Sequence, residues 1–131
     1  MTIGIIDDDS VYKFVIRTLI RATSPAILTL ELKDGQEAIE FFHQNMDELS
    51  QLPDIILLDI NMPRLNGWQF LDQLRNSSIA FYRPSIYMVS SSTDEIDIAT
   101  ANSYQEVIRF ISKPIRKEVL REIISESMVG L

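Results

Sequence analysis

Three carboxylates, a hydroxyl and an ammonium occupy the chemically most capable positions of this 131-residue chain: Asp7 and Asp8, Asp59, Ser90 and Lys113. Each follows a short apolar run, at residues 3–6, 55–58, 85–89 and 107–111. Taken singly, each is equally well a turn former or a helix cap, and Asp59 alone decides nothing. Taken together they are a donor set for phosphoryl transfer. Two carboxylates about 4 Å apart repel by roughly 4 kcal/mol at an effective dielectric of about 20, so three in one place call for a cation. Hard oxygen donors suit Mg²⁺, which keeps some of its waters and also accepts phosphate oxygens. Asp59 would attack the phosphorus, Lys113 would neutralise charge on the phosphoryl group, and Ser90 would hydrogen-bond one of its oxygens. Positioning and electrostatics supply most of the catalysis in such transfers.

For these residues to meet, the apolar runs must be parallel strands with their carboxyl ends on one edge. The run 55–58, Ile-Ile-Leu-Leu, has no polar alternation and is bounded by Pro53 and by the turn residues after Asp59. That pattern predicts a strand buried on both faces at the centre of a parallel sheet. Strands are expected at 3–6, 27–32, 55–58, 85–89 and 107–111. Helices are expected between and after them, the first carrying 11–22 and broken at Ser24-Pro25, the others at about 36–46, 67–74, 94–104 and 116–128. Ser10 or Asp9 should cap the first helix. Its core-facing stripe reads as Val11, Phe14, Val15, Thr18, Leu19 and Ala22, and the second helix should bury Ala38, Ile39 and Phe42. The third should place Trp68, Leu71 and Leu74 on one side. The last should bury Val119, Leu120, Ile123 and Ile124. Segment 47–52 reads as either a frayed extension of the second helix or a loop into Pro53, and 76–83 reads as irregular. Strands alternating with helices make βαβ units, hence an α/β fold with a doubly wound five-stranded parallel sheet and right-handed crossovers. In such sheets ligands and chemistry gather beyond the carboxyl ends of the strands.

Composition agrees with an ordinary globular domain: 46% of residues are hydrophobic and 24% charged. The length suits one domain over residues 1–131, with no output domain expected. The chain contains no cysteine, which rules out a disulfide framework and a thiolate metal site. A net charge of -7 argues against direct nucleic-acid binding and is compatible with a metal cation or a basic partner surface. No apolar run approaches a membrane span and the first residues lack a secretion-signal pattern, so no membrane association and a cytoplasmic location are expected.

The ordered set resembles the receiver domain of bacterial response regulators, in the single-domain, chemotaxis-regulator-like form. It comprises Asp7-Asp8 after the first strand, Asp59-x-x-Met62-Pro63 after the third, Ser90 after the fourth and Lys113-Pro114 after the fifth. The resemblance covers essentially the whole chain. It implies a flavodoxin-like (βα)5 fold with strand order 2-1-3-4-5, and a phosphorylation-dependent switch of a two-component system. Asp59 would accept a phosphoryl group from a sensor histidine kinase or phosphotransfer protein. Asp8, Asp59 and the backbone carbonyl of Asn61 would bind Mg²⁺ directly, with Asp7 acting through water. Lys113 would contact the phosphoryl group, with a cis peptide bond to Pro114. Ser90 and Phe110 match the switch pair, and Asn61 and Ser92 occupy the positions that tune the lifetime of the phosphoryl group. The output face would combine the fourth helix, fifth strand and last helix, and a downstream protein would bind there. The resemblance makes the chain a phosphoacceptor that assists its own phosphorylation and dephosphorylation rather than an enzyme acting on others. Two departures stand out. Phe110 has no phenolic hydroxyl, and the segment Asn102-Ser103-Tyr104-Gln105-Glu106 replaces the small residues often found before the fifth strand.

Two other classes share parts of this pattern. A flavodoxin-like cofactor-binding module would have the same strand order, but the first loop, Asp7-Asp8-Asp9-Ser10, carries acids where a phosphate-binding loop needs glycines and hydroxyls. A small phosphatase of the haloacid-dehalogenase kind would share the Asp nucleophile, but expects Asp-x-Asp after the first strand and a cap insertion. The remaining features read as structure. His43 lies on a helix surface without an acidic or histidine partner. Trp68 packs, the dispersed methionines fill core space, and Arg116, Lys117 and Arg121 form a solvated face.

Overall fold

A computed structural model of the chain describes residues 1–77, 82–91 and 94–129, with the backbone alone at 128 and 129. Five strands form one parallel sheet: β1 (Thr2–Ile6), β2 (Leu28–Leu32), β3 (Ile55–Asp59), β4 (Ser85–Ser90) and β5 (Val107–Ser112). Their order is β2-β1-β3-β4-β5, and every pairing is parallel. The helices are α1 (Ser10–Thr23), α2 (Gly35–Gln44), α3 (Gly67–Asn76), α4 (Glu95–Ser103) and α5 (Lys117–Val129), with one 3-10 turn at Leu49–Gln51. The irregular segment expected over residues 76–83 lies partly outside the described residues, at 78–81.

Side-chain alternation along the strands divides the core in two. Ile6, Ile56, Leu58, Ile86 and Met88 face α2 and α3 through Ala38, Phe42, Phe70 and Leu71. Ile3, Ile5, Ile55, Leu57, Tyr87 and Val89 face α1 and α5 through Ile16, Ile20, Leu120 and Ile123. All of β3 is buried, as the unbroken aliphatic run required. The helix starts are capped by side-chain oxygens: Asp9 for α1, Asp34 for α2, Asn66 in a capping box with Gln69 for α3, and Asp94 for α4.

One expected face is corrected. In α1 the buried residues are Ile16 and Ile20, with Tyr12 and Leu19 partly buried against the same cluster. Val11, Phe14 and Val15 are 71%, 58% and 47% exposed, and Thr18 and Ala22 are exposed too. Two apolar stripes run along this helix, and the spacing 12, 16, 19, 20 is as helical as 11, 14, 15, 18. The way the helix rolls onto the sheet chooses between them. In α3, Phe70 joins Leu71 in the core while Trp68 and Leu74 are only partly buried. Trp68 instead stacks on Tyr104, with ring centroids 5.5 Å apart. Buried Ala38, Ile39, Phe42, Leu120, Ile123 and Ile124 agree with expectation, while Val119 is partly buried.

Candidate functional site

The carboxyl ends of β1, β3, β4 and β5 meet at one edge of the sheet, and the polar residues predicted to converge do converge. Asp7, Asp8 and Asp59 each offer a carboxylate oxygen, and these oxygens lie within 4.8 Å of one another. Asp7 and Asp59 are buried and Asp8 is exposed, so the acid cluster opens to solvent on one side. The Lys113 ammonium donates to Asp7 Oδ2 at 2.7 Å and lies 3.7 Å from Asp59 Oδ1. The other Asp7 oxygen, Oδ1, accepts from the backbone N–H of Asp9 at 2.9 Å.

Backbone contacts hold these groups in register. The Lys113 N–H donates to the Ser90 carbonyl at 2.9 Å, which joins the ends of β4 and β5 and sets Ser90 and Lys113 side by side. Ser90 itself is 1% exposed. The Lys113–Pro114 peptide bond is cis. Behind Asp59, the Gly67 N–H donates to the Ile60 carbonyl at 2.8 Å. A Cβ at Gly67 would fall 2.5 Å from the Asp59 carbonyl oxygen. Only glycine lets α3 begin so close to the carboxyl end of β3.

The loop between β3 and α3 carries exposed Asn61 and buried Met62, and it is tied down by a residue the sequence did not single out. Arg64 has a positive φ of 67°. Its guanidinium makes a forked contact with Asp34, at 3.1 Å from Nε and 2.7 and 3.0 Å from Nη2. Burial pushes the Asp34 carboxyl up, but the Glu37 amide and the Arg64 guanidinium outweigh it and hold the group below its ordinary value. An Asp that caps a helix reads as complete in sequence, so nothing local signals the partner thirty residues away. Tyr12 was also missed. Its ring centroid lies 4.3 Å from Lys113 Nζ, and in the sequence it is one more apolar residue of a helix.

The electrostatics of the cluster are those of a site short of positive charge. Asp59 is pushed up from 3.8 to about 6, first by burial and then by the Asp7 carboxylate; Lys113 pulls it down and Asp8 adds to the rise. Three oxygen donors with one shared ammonium fit a hard divalent cation. Phe110 is partly buried against the cluster on the α3 and α4 side, opposite Met88 across the β4–β5 pairing. Ser92 lies outside the described residues. His43 is exposed, as are Arg116, Lys117 and Arg121. Among the described residues no helix is long and apolar enough to cross a membrane.

Comparisons with known proteins agree with this architecture. The family described as "Response regulator receiver domain" matches residues 3–125. The nitrate/nitrite response regulator protein NarL of Escherichia coli (strain K12) is 35% identical over 100 residues, covering 76% of this chain and 42% of NarL. A protein-glutamate methylesterase/protein-glutamine glutaminase of Pyrococcus horikoshii is 32% identical over 129 residues, covering 93% of this chain and 32% of that protein. The chain therefore spans less than half the length of either relative. A crystal structure of a two-component response regulator from Cytophaga hutchinsonii superimposes with a TM-score of 0.85 at 28% identity, covering 98% of this chain and 96% of that one. The strand order, the edge on which the acids meet and the match across nearly the whole chain lead to one conclusion: the chain belongs to the response regulator receiver domains, the phosphorylation-dependent switches of two-component signalling.

Proposed function

We propose that Asp59 is the phosphoacceptor of this receiver domain and that Mg²⁺ is its cofactor. The observation that carries the reading is the meeting of three carboxylates within 4.8 Å beside an ammonium that ion-pairs with both Asp7 and Asp59. An Asp59 oxygen attacks the phosphorus of a phosphohistidine on a sensor kinase or phosphotransfer protein. The P–N bond breaks, its electrons return to the imidazole, and an acyl phosphate forms on Asp59. Asp8, Asp59 and the Asn61 carbonyl would hold the metal directly. The two Asp7 oxygens already accept from Lys113 and Asp9, which suits a role through coordinated water. When bound, Mg²⁺ supplies the positive charge that lets an anionic phosphoryl group approach an anionic nucleophile. Lys113 stabilises the charge on the transferred group, and Ser90 hydrogen-bonds one of its oxygens. The chain acts as a switch rather than as an enzyme on other substrates.

Phosphorylation then shifts the population towards a state in which Ser90 and Phe110 have turned inward. The altered surface is that of α4, β5 and α5, where Ile96 and Ile108 are exposed and available to a downstream protein. Asn61 and Ser92 set how long the signal lasts, and the protein works in a bacterial cytoplasm.

The test is incubation with acetyl phosphate and Mg²⁺, followed by intact-mass measurement. The wild type should gain one phosphoryl group and Asp59→Asn should gain none. Uptake by Asp59→Asn at the wild-type level would show that another residue is the acceptor.

A further inference from the structure

We infer that Tyr12 is a positioning residue of the phosphoacceptor site, its ring face holding the Lys113 ammonium against the acid cluster. This rests on the reading of Asp59 as the phosphoacceptor. Lys113 stands at the end of a flexible four-carbon stem, yet it must serve two carboxylates at 2.7 and 3.7 Å. Two carboxylates leave the ammonium open on its remaining sides. A third wall fixes it, and here the wall is aromatic: Nζ lies 4.3 Å from the Tyr12 ring centroid, well within cation–π range.

Two further observations set Tyr12 apart from ordinary packing. It grows from the first turn of α1, where Asp9 Oδ1 accepts its backbone N–H at 3.1 Å, so the same loop that carries the acids positions the ring. Its hydroxyl is one of two buried side-chain polar atoms that lack a hydrogen-bond partner among the described residues. Removing the hydroxyl alone therefore breaks no hydrogen bond to another described residue. Burial, and then the charges of Asp7, Asp59 and Asp9, push the phenol above its ordinary value, so it stays neutral and adds no negative charge to the site.

The inference separates ring from hydroxyl and position from packing. Tyr12→Phe keeps the ring and should be phosphorylated by acetyl phosphate with Mg²⁺ at close to the wild-type rate. Tyr12→Leu removes the ring face and should slow phosphorylation by about 2- to 30-fold, with Mg²⁺ affinity retained. Tyr12→Met, unbranched and adaptable, replaces Leu if that variant does not fold. Equal rates in all variants would overturn the inference, as would an equal loss in Phe and Leu. A second arm uses metal-free protein and involves no phosphoryl group. In a Lys113→Met background, the urea-midpoint difference between Tyr and Leu at position 12 should shrink, because the partner of the ring is gone. Full additivity would reduce Tyr12 to packing and overturn the inference. Failure of the wild type to take up phosphate on Asp59 would instead sink the underlying reading, and the additivity arm would still decide the contact.

Discussion

Replacing Asp59 by Asn should make the metal-free protein more stable, although it removes the proposed phosphoacceptor. At an effective dielectric of about 20, the Lys113 ammonium at 3.7 Å attracts Asp59 by about 4.5 kcal/mol. Asp7 and Asp8, each within 4.8 Å, repel it by at least about 3.5 kcal/mol apiece on the same scale. The balance is repulsive, and burial adds to it. A carboxyl moved from 3.8 to about 6 carries about 3 kcal/mol against its charged form relative to the unfolded chain. Asp8 is exposed, so water screens part of this, leaving about 1–2 kcal/mol for the variant to recover. That corresponds to a midpoint about 3–8 °C higher by calorimetry.

The sign with pH follows from linkage. The folded-state value lies above the unfolded one, so the folded protein holds an extra proton between about pH 4 and 6. The wild type should lose this increment of stability as pH rises through that window. Asp59→Asn has no such proton, so its advantage should appear at about pH 7 and vanish near about pH 4. Saturating Mg²⁺ should reverse the order, because only the wild type retains the full ligand set. A variant no more stable than the wild type at neutral pH without metal would refute the electrostatic reasoning. So would an advantage that persists undiminished in acid.

Two other perturbations probe how the site is held. Arg64→Gly should be more stable than Arg64→Ala by about 1 kcal/mol in urea denaturation, since both lose the Asp34 ion pair but only alanine keeps the cost of the positive φ; equal stabilities would show that the backbone at this position is not strained. Gly67→Ala should destabilise by about 1–3 kcal/mol and weaken Mg²⁺ binding by calorimetric titration, because the new methyl meets the Asp59 carbonyl oxygen at 2.5 Å. Wild-type affinity would show that α3 can retreat without moving the acid.

Legibility followed the range of the interaction. The central strand β3 was readable because an aliphatic run buried on both faces needs no partner information to be recognised. The convergence of Asp7, Asp8, Asp59, Ser90 and Lys113 was readable because parallel connectivity sends every strand end to the same edge. Helix α1 was misread because it carries two apolar stripes of equal helical spacing. Choosing between them requires knowing how the helix rolls onto the sheet. The exposed stripe, Val11, Phe14 and Val15, lies on the helix whose start carries the acid loop.

By itself, then, the sequence determined the fold class, the element order and the chemical character of the site, since each depends on periodicity and residue type along the chain. Only the tertiary structure decided which cation serves which acid, that Arg64 fastens the loop after β3 to Asp34, and that the Tyr12 ring backs Lys113. These contacts join residues dozens of positions apart through side chains that have equally good local uses elsewhere. Their pairing is settled by packing distance, which a one-dimensional pattern does not contain.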